Sequence, residues 1–433
     1  MHTIIHGDCL EELKKLEDNS VDAVICDPPY GLSNTKPTQV ADVLAAWVTG
    51  DTEKVPAKRG GFMGKDWDSF VPPPAVWEEC MRVLKPGGHM AVFAGARTQD
   101  LMGLSIRLAG FEIRDTLGWV YGSGFPKSMD VSKAIDKAAG AEREVIGRRV
   151  RLGDKKSYGN NGANAFGGYA DNSEGDPATA PATSEAQRWD GWGTSLKPAI
   201  EPIILARKPL DGTVANNVLA HGVGGLNIDA CRVGNESRIN LPAGNKANSG
   251  GVYKFSNAEV DAFNGAKPAE VAGRFPANVL LDEHAAEEMD KQSGVSVSKA
   301  GGRSGTHFSA GNEGVPTPDR PRGGHNDSGG ASRFFPVFKY QAKAPKKERP
   351  VIEREDGTKV QHPTVKPLKL MEWLVTLITP EGGTVLDPFA GTGTTLQAAT
   401  NKGFHPIGIE ADTDYIQLIH QRLEGGEQST RNS

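Results

Sequence analysis

The sequence predicts an α/β fold, a mixed and mostly parallel sheet covered by helices, built from both ends of the 433-residue chain around a large inserted region. Three observations predict it. Apolar strand patterns alternate with helical ones over 1–125 and again from Leu368 onward. Val21–Cys26 (VDAVIC) is an apolar run of the kind found in a strand buried on both faces of a parallel sheet. The middle then changes character: 153–193 holds eight glycines in 41 positions and 294–330 holds ten in 37, with Asn, Ser and Asp between them. Such composition reads as long loops.

Taken in order, Thr3–Ile5 is a short strand, and Asp8 caps a helix whose Leu10, Leu13 and Leu16 share one face. Val21–Cys26 follows as the buried strand. The helical stretch Pro72–Leu84 stops at Lys85-Pro86-Gly87-Gly88 and gives way to a strand at His89–Phe93. A helix over Gly103–Leu108 and a strand over Ile113–Tyr121 complete the first segment. Ala199–Ala206 is strand-like, and the apolar run Phe275–Leu281 with its following helix suggests a small accessory unit. The regular pattern resumes with helix Leu370–Ile378, strand Thr384–Leu386, helix Thr394–Asn401, strand Pro406–Ile409 and helix Tyr415–Leu423. These patterns divide the chain into 1–126, an insert at 127–345, a second core segment at 346–425 and a polar, frayed tail at 426–433.

Composition narrows the function classes. No run of eighteen apolar residues occurs, and MHTIIHGDCL has no charged segment followed by an apolar one, so neither a membrane span nor a secretory signal is expected. Cys9, Cys26, Cys80 and Cys231 are scattered, with no Cys-x-x-Cys pair; this suits a reducing cytoplasm and speaks against a zinc ribbon or disulfide framework. His284, His307 and His325 have no metal-ligand spacing, so no metal is expected. Net charge is -5, but unevenly spread: Lys127–Pro350 carries 30 Lys+Arg against 26 Asp+Glu, and the rest 19 against 28. A basic middle in an acidic frame is compatible with a nucleic-acid face.

Two motifs carry chemistry. Asp387-Pro388-Phe389-Ala390-Gly391-Thr392-Gly393-Thr394-Thr395 lies in a strand-to-helix turn, where glycines let backbone approach a ligand and helix amides meet it. A P-loop would have Lys after the glycines, and a dinucleotide fingerprint would have three spaced glycines; this turn has neither. The next strand ends at Glu410, where a carboxylate can accept both hydroxyls of a ribose. The second motif, Asp27-Pro28-Pro29-Tyr30, emerges from the buried strand Val21–Cys26. Its prolines stop the strand and fix a rigid turn, holding an acid, backbone carbonyls and an aromatic ring at the carboxyl edge of the sheet.

In these motifs and their order the chain resembles the S-adenosylmethionine-dependent amino-group DNA methyltransferases, in the permuted β-class arrangement. Gly7-Asp8-Cys9-Leu10, Arg82–Gly88 and His362-Pro363-Thr364-Val365-Lys366-Pro367 extend the resemblance over roughly 1–125 and 360–425. It implies a Rossmann-like methyltransferase core with an inserted target-recognition region, acting on double-stranded DNA by base flipping. It implies that Phe389, Gly391 and Gly393, with Thr394 in the same turn, cradle the methionine part of the cofactor. Asp387 would lie near the cofactor's amino group, Glu410 at its ribose and Asp8 at its adenine end, with Thr364 and Lys366 bordering the carboxylate. In the family the Asp-Pro-Pro-Tyr form goes mostly with adenine N6 and the Ser-Pro-Pro form mostly with cytosine N4. Adenine is therefore expected and cytosine N4 is the alternative. The resemblance leaves open a homodimer and a separate restriction endonuclease.

The residues suit that chemistry. An exocyclic amino nitrogen is a poor nucleophile because its lone pair is delocalised into the ring. Acceptors at its two hydrogens, the Asp27 carboxylate and the Pro28 carbonyl, would draw it toward tetrahedral geometry, while Tyr30 stacks on the extruded base. Cytosine C5 methylation needs a Pro-Cys nucleophile; no such dipeptide occurs, and Cys26 reads as a buried strand residue. A nicotinamide dehydrogenase would leave Asp27–Tyr30 unexplained, and a non-catalytic DNA-binding module would leave both motifs idle. No Pro-Asp…(Asp/Glu)-x-Lys nuclease signature occurs. Arg148, Arg149 and Arg151, or Lys343–Arg349, are the expected phosphate contacts, and Phe166, Tyr169, Trp189 and Trp192 are aromatic candidates for base contact.

Overall fold

The computed structural model describes residues 2–33, 35–56, 68–122, 124, 128–148, 177–240, 269–298, 327–338, 350–354, 356–362 and 364–431. The chain divides into two compact units, 1–122 together with 200–433, and 123–199.

A nine-stranded sheet organises the larger unit. Its strands are β1 Thr3–His6, β2 Val21–Cys26, β3 Leu84–Phe93, β4 Glu112–Val120, β5 Ile200–Arg207, β6 Val279–Asp282, β7 Val337–Phe338, β8 Thr384–Asp387 and β9 His405–Glu410. They lie in the order β1-β9-β8-β2-β3-β5-β4-β6-β7. Only β5 runs antiparallel to its neighbours, β3 and β4; the other described pairings are parallel. The mixed, mostly parallel sheet expected from the sequence is present.

Parallel strands need helical crossovers, and these cover both faces. Helices α1 Cys9–Leu13, α2 Pro37–Val48, α3 Pro74–Val83 and α4 Gln99–Leu108 contribute to one core with Val24, Cys26, Met90, Val92, Ile204 and Ala206. On the opposite face Ala23, Ile25, Ala91, Phe93, Ile203 and Leu205 pack with the helices Leu368–Ile378 and Thr394–Asn401. Alternate residues of each strand thus face alternate cores. All six residues of β2 are buried for this reason.

The expected insert 127–345 does not fold as one body. β5, β6 and β7 all come from that span yet lie in the central sheet. Apolar runs such as Ile203–Ala206 and Leu280–Leu281 need cover on both sides, and the sheet supplies it. The expected accessory unit at Phe275–Leu281 is corrected in the same way, since β6 pairs with β4 and β7. The expected frayed tail is helical through Arg431, in the final helix Thr413–Arg431.

The smaller unit, 123–199, contains α5 Val131–Ala138, α6 Ser184–Arg188 and a ribbon pairing Val145–Arg148 with Pro177–Thr179. Asp136 organises it. Its buried carboxylate pairs with Arg143 at 2.6 Å and accepts from the Thr183 hydroxyl and the Ala182 and Thr183 amides. Trp189 and Trp192 meet edge to face at 5.0 Å, with 45% and 59% of their surfaces exposed.

Candidate active site

The register Val385↔Ala23 and Leu386↔Val24 sets the carboxyl ends of β8 and β2 side by side. Asp387 closes β8 and Asp27 follows β2, so the two motifs leave the sheet from adjacent strands. Strand order diverges on either side of this pair, where open α/β sheets form a ligand crevice.

The turn after β2 is anchored from outside itself. The buried Asp68 carboxylate accepts the amides of Tyr30 (2.7 Å) and Gly31 (3.0 Å), and Thr98 donates its hydroxyl to the Tyr30 carbonyl (2.6 Å). Gly31 has φ +66°, and a Cβ there would come within 2.7–2.9 Å of Phe70 and Val71 backbone, so only glycine fits.

Four side chains then converge. The Tyr30 hydroxyl lies 2.7 Å from Asp27 Oδ1 and 2.6 Å from Glu201 Oε1. The Lys366 ammonium reaches Asp27 Oδ2 at 2.9 Å, the Tyr30 hydroxyl at 2.9 Å and Glu201 Oε1 at 3.0 Å. It also sits 4.7 Å from the Phe93 ring centroid. Burial by itself would lower the Lys366 pKa, but the charges of Asp27 and Glu201 outweigh it and hold the group above its ordinary value. Burial, reinforced by the same two carboxylates, pushes the Tyr30 phenol well up, so it stays protonated.

The turn after β8 is held mainly by backbone. Asp387 is 2% exposed and accepts the Phe389 amide at 3.0 Å. Burial raises its carboxyl to about 7, with the charges of Asp27 and Glu410 acting in the same direction and hydrogen bonds from Thr395 and Phe389 opposing. Glu410 accepts the Gly391 amide and the Asp412 amide, one on each oxygen, both at 2.8 Å; burial raises its pKa too. Gly393, at φ +75°, turns the chain into the helix Thr394–Asn401, and a Cβ there would press on Ile419 at 3.0 Å. Phe389 packs against the buried Trp77, ring centroids 6.1 Å apart.

The structure thus brings Asp27, Tyr30 and Lys366 into one cluster, and Asp387, Phe389, Gly391, Gly393, Thr394 and Glu410 into a second beside it. Pro28 is buried and Pro29 half-buried in the connecting turn. Asp8 is exposed and caps α1 through the Leu10 and Glu11 amides; the neighbouring Gly7 amide bonds the Glu410 carbonyl, which brings this loop to the same edge. Thr364 is exposed, and its backbone meets His362 Nδ1. Lys366, expected to border the cofactor carboxylate, has its ammonium held by the Asp27 and Glu201 carboxylates. Cys26 is fully buried, and burial raises its thiol well above the usual range, as a strand residue and not a nucleophile. The Arg148 side chain, Arg149, Arg151 and Lys343–Arg349 lie outside the described residues.

Glu201 and Asp68 were not singled out by sequence reasoning, and His362 entered it only as the head of the motif His362–Pro367, with no role of its own. Glu201 carries the one available signal, an acid followed by proline at the head of an otherwise apolar strand, AIEPIILA. His362 lies over the glycine turn, with Nε2 3.5 Å from the position of a Cβ on Gly391, and its ring stands 4.7 Å from that of Tyr415.

An acid–proline turn and a glycine turn thus leave adjacent carboxyl ends of one α/β sheet, the arrangement expected from the resemblance to the amino-group methyltransferases. The chain belongs to the N6/N4 family described as DNA methylase, whose model matches residues 21–145 and 184–421. It is 23% identical to the type II methyltransferase M.HindIII of Haemophilus influenzae over 97% of this chain and 94% of that protein. With M2.DpnII of Streptococcus pneumoniae it shares 44% identity over 64 residues, 15% of this chain and 24% of that one. Among solved structures, an M1.HpyAVI complex with SAM aligns over 98% of this chain and 99% of its own at 15% identity, with a TM-score of 0.38. The cytosine-N4-specific PvuII DNA methyltransferase aligns over 97% and 87% at 12% identity, with a TM-score of 0.42.

Proposed function

We propose that this DNA methylase transfers a methyl group from S-adenosylmethionine to the exocyclic N6 of adenine at a specific site in double-stranded DNA. One observation carries the reading: Asp27 and the glycine turn of Gly391 and Gly393 leave adjacent parallel strands at one sheet edge, so a base amino group and a cofactor would meet there.

The residues at the second cluster fit that cofactor. Glu410 has both oxygens fixed by backbone amides, and each keeps a lone pair for a ribose hydroxyl. Asp387 offers a buried carboxyl to an amino group, whose positive charge would favour the ionised form that burial opposes, and Asp8 and Thr364 border the same edge. When bound, the cofactor supplies a sulfonium methyl as electrophile. The protein's share is positioning and electrostatics. Asp27 and the Pro28 carbonyl accept the two amino hydrogens, and the Tyr30 ring stacks on a base extruded from the duplex. Aspartate at 27, in place of serine, supports adenine over cytosine N4. The unit 123–199, with its exposed Trp189–Trp192 pair, is the candidate reader of the DNA sequence. On this reading the enzyme works in the cytoplasm, within a restriction-modification setting in which a separate endonuclease shares the site; relatives named type II methyltransferases support that setting.

The test is expression of the full chain in a methylation-deficient host, followed by digestion of its DNA, mass analysis and single-molecule mapping. N6-methyladenine at one recurrent sequence is expected. N4-methylcytosine would overturn the adenine assignment, and unmodified DNA would overturn the reading as a whole.

A further inference from the structure

The cluster around Tyr30 contains a proton shortage. Its hydroxyl has one hydrogen but stands within 2.7 Å of two carboxylate oxygens, Asp27 Oδ1 and Glu201 Oε1. It can donate to one of them at a time. The other oxygen–oxygen contact has no hydrogen of its own and is tolerated because Lys366 donates to the hydroxyl and to both carboxylates. Asp27 Oδ1 and Glu201 Oε1 therefore compete for a single hydroxyl proton.

We infer that Glu201 is a positioning residue for base entry: it takes over the Tyr30 hydroxyl hydrogen bond and so frees Asp27 Oδ1 for the amino group of the target base. An arriving N–H supplies the hydrogen that the Asp27 side lacks. The hydroxyl then turns its proton to Glu201, 2.6 Å away, and no buried polar atom is left without a partner. No covalent bond is made or broken; one O–H···O bond is exchanged for another. Glu201 can do this because of its strand. β5 is the antiparallel strand wedged between β3 and β4, and its first residues lie beside the carboxyl end of β3: the Ala94 amide bonds the Pro202 carbonyl at 2.9 Å. That places Glu201, 171 residues from Tyr30 in sequence, against the turn after β2.

The inference rests on the methyl-transfer reading, and the test separates the two. Methyl incorporation into DNA is measured in the full-length protein for wild type, Glu201→Ala, Glu201→Gln, Tyr30→Phe and the double variant Tyr30→Phe/Glu201→Ala, with kcat and KM for DNA and cofactor. Without Glu201 the Tyr30 proton stays on Asp27 Oδ1, which leaves that oxygen one lone pair and a weaker pull on the base amino hydrogen. Glu201→Ala should lose about thirtyfold or more in kcat/KM for DNA, with KM for the cofactor within about threefold. Glu201→Gln keeps an acceptor oxygen and should recover at least about fivefold of that loss. The decisive variant is the double one. Removing the competing hydroxyl should make Tyr30→Phe/Glu201→Ala about fivefold or more better than Glu201→Ala alone. Additive losses would overturn the exchange, as would a Glu201→Ala enzyme within threefold of wild type. Thermal melting and cofactor titration identify a misfolded variant, in which case the Gln and Phe single variants decide: an inactive Glu201→Gln that binds cofactor normally overturns the inference. Absence of any methylated base with wild-type protein would instead overturn the functional reading.

Discussion

Asp27 follows one buried parallel strand and Asp387 ends another, and those strands pair with one another, yet the two carboxylates are held by different means. Asp27 is followed by Pro28 and Pro29, which have no N–H to offer, so its partners are side chains from far along the chain, Tyr30 apart: Lys366 bonds it directly and Glu201 shares that lysine. Asp387 is followed by a single proline, and the Phe389 amide then caps it from within the turn. Side-chain partners can rotate away when a better donor arrives; backbone partners cannot. The difference separates a site where hydrogen bonds are exchanged from a site where they are fixed in advance.

The largest expected effect breaks the exchangeable half. Asp27→Ala removes the charge-assisted acceptor and should lower methyl transfer by about a thousandfold or more, a barrier change of a few kcal/mol. Cofactor affinity should survive, because the glycine turn does not depend on Asp27. Methyl incorporation together with calorimetric titration checks both halves. An Asp27→Ala enzyme turning over within tenfold of wild type would assign the base contact elsewhere.

The fixed half makes itself visible through pH. Asp387 holds its proton to about 7 in the folded protein, against an ordinary value of 3.8, chiefly because of burial. A native group with a raised pKa favours the folded state while it is protonated. That contribution is complete below about 3.8 and is lost as pH rises through about 7, on the order of 4 kcal/mol in all. Wild type should therefore lose stability between about pH 4 and 7 relative to Asp387→Asn, measured as urea midpoints without added cofactor. Parallel pH profiles for the two proteins would remove Asp387 from the acid-stabilised set. A smaller change follows at the ribose. Glu410→Ala should weaken cofactor binding by about 1.5–3 kcal/mol, and unchanged affinity would mean that the ribose is held by other groups.

The same contrast explains what the sequence made legible. The fixed half is local: strand, glycine turn and helix occupy consecutive residues, and glycine at 391 and 393 permits the φ above zero that the turn adopts. β2 was readable to the residue, because a run covered on both faces has no polar register to confuse. The exchangeable half is non-local. Apolar patterning marks Ala199–Ala206 as a strand but contains nothing about its partners, so its wedging between β3 and β4, and with it the role of Glu201, stayed hidden. The same gap made 127–345 look like one insert, since the short strands Val279–Asp282 and Val337–Phe338 gain their meaning only by pairing with β4 and each other. Lys366 was recognised through its motif, but its pairing with Asp27 and Glu201 stayed hidden, a matter of two carboxylates that sequence spacing could not bring together.

The smallest expected effect tests whether DNA affinity lies apart from both halves. The span Lys127–Pro350 carries a net excess of basic residues, 30 against 26, inside an otherwise acidic chain, and Arg148, Arg149 and Arg151 are its densest early cluster. Replacing all three by Ala should weaken DNA binding and flatten its salt dependence, because a protein that neutralises fewer phosphates displaces fewer counterions from the duplex. The log–log slope should fall by about 0.9 for each phosphate no longer neutralised. Cofactor affinity should not move, since Asp387, Gly391, Gly393 and Glu410 belong to the larger unit and Arg148–Arg151 to 123–199. At saturating DNA kcat should also hold, because phosphate contacts position the duplex without touching the reacting atoms. A salt slope equal to that of wild type would take this cluster off the DNA face and turn attention to Lys343–Arg349. A fall in kcat at saturating DNA would mean instead that the smaller unit helps to place the base against Asp27.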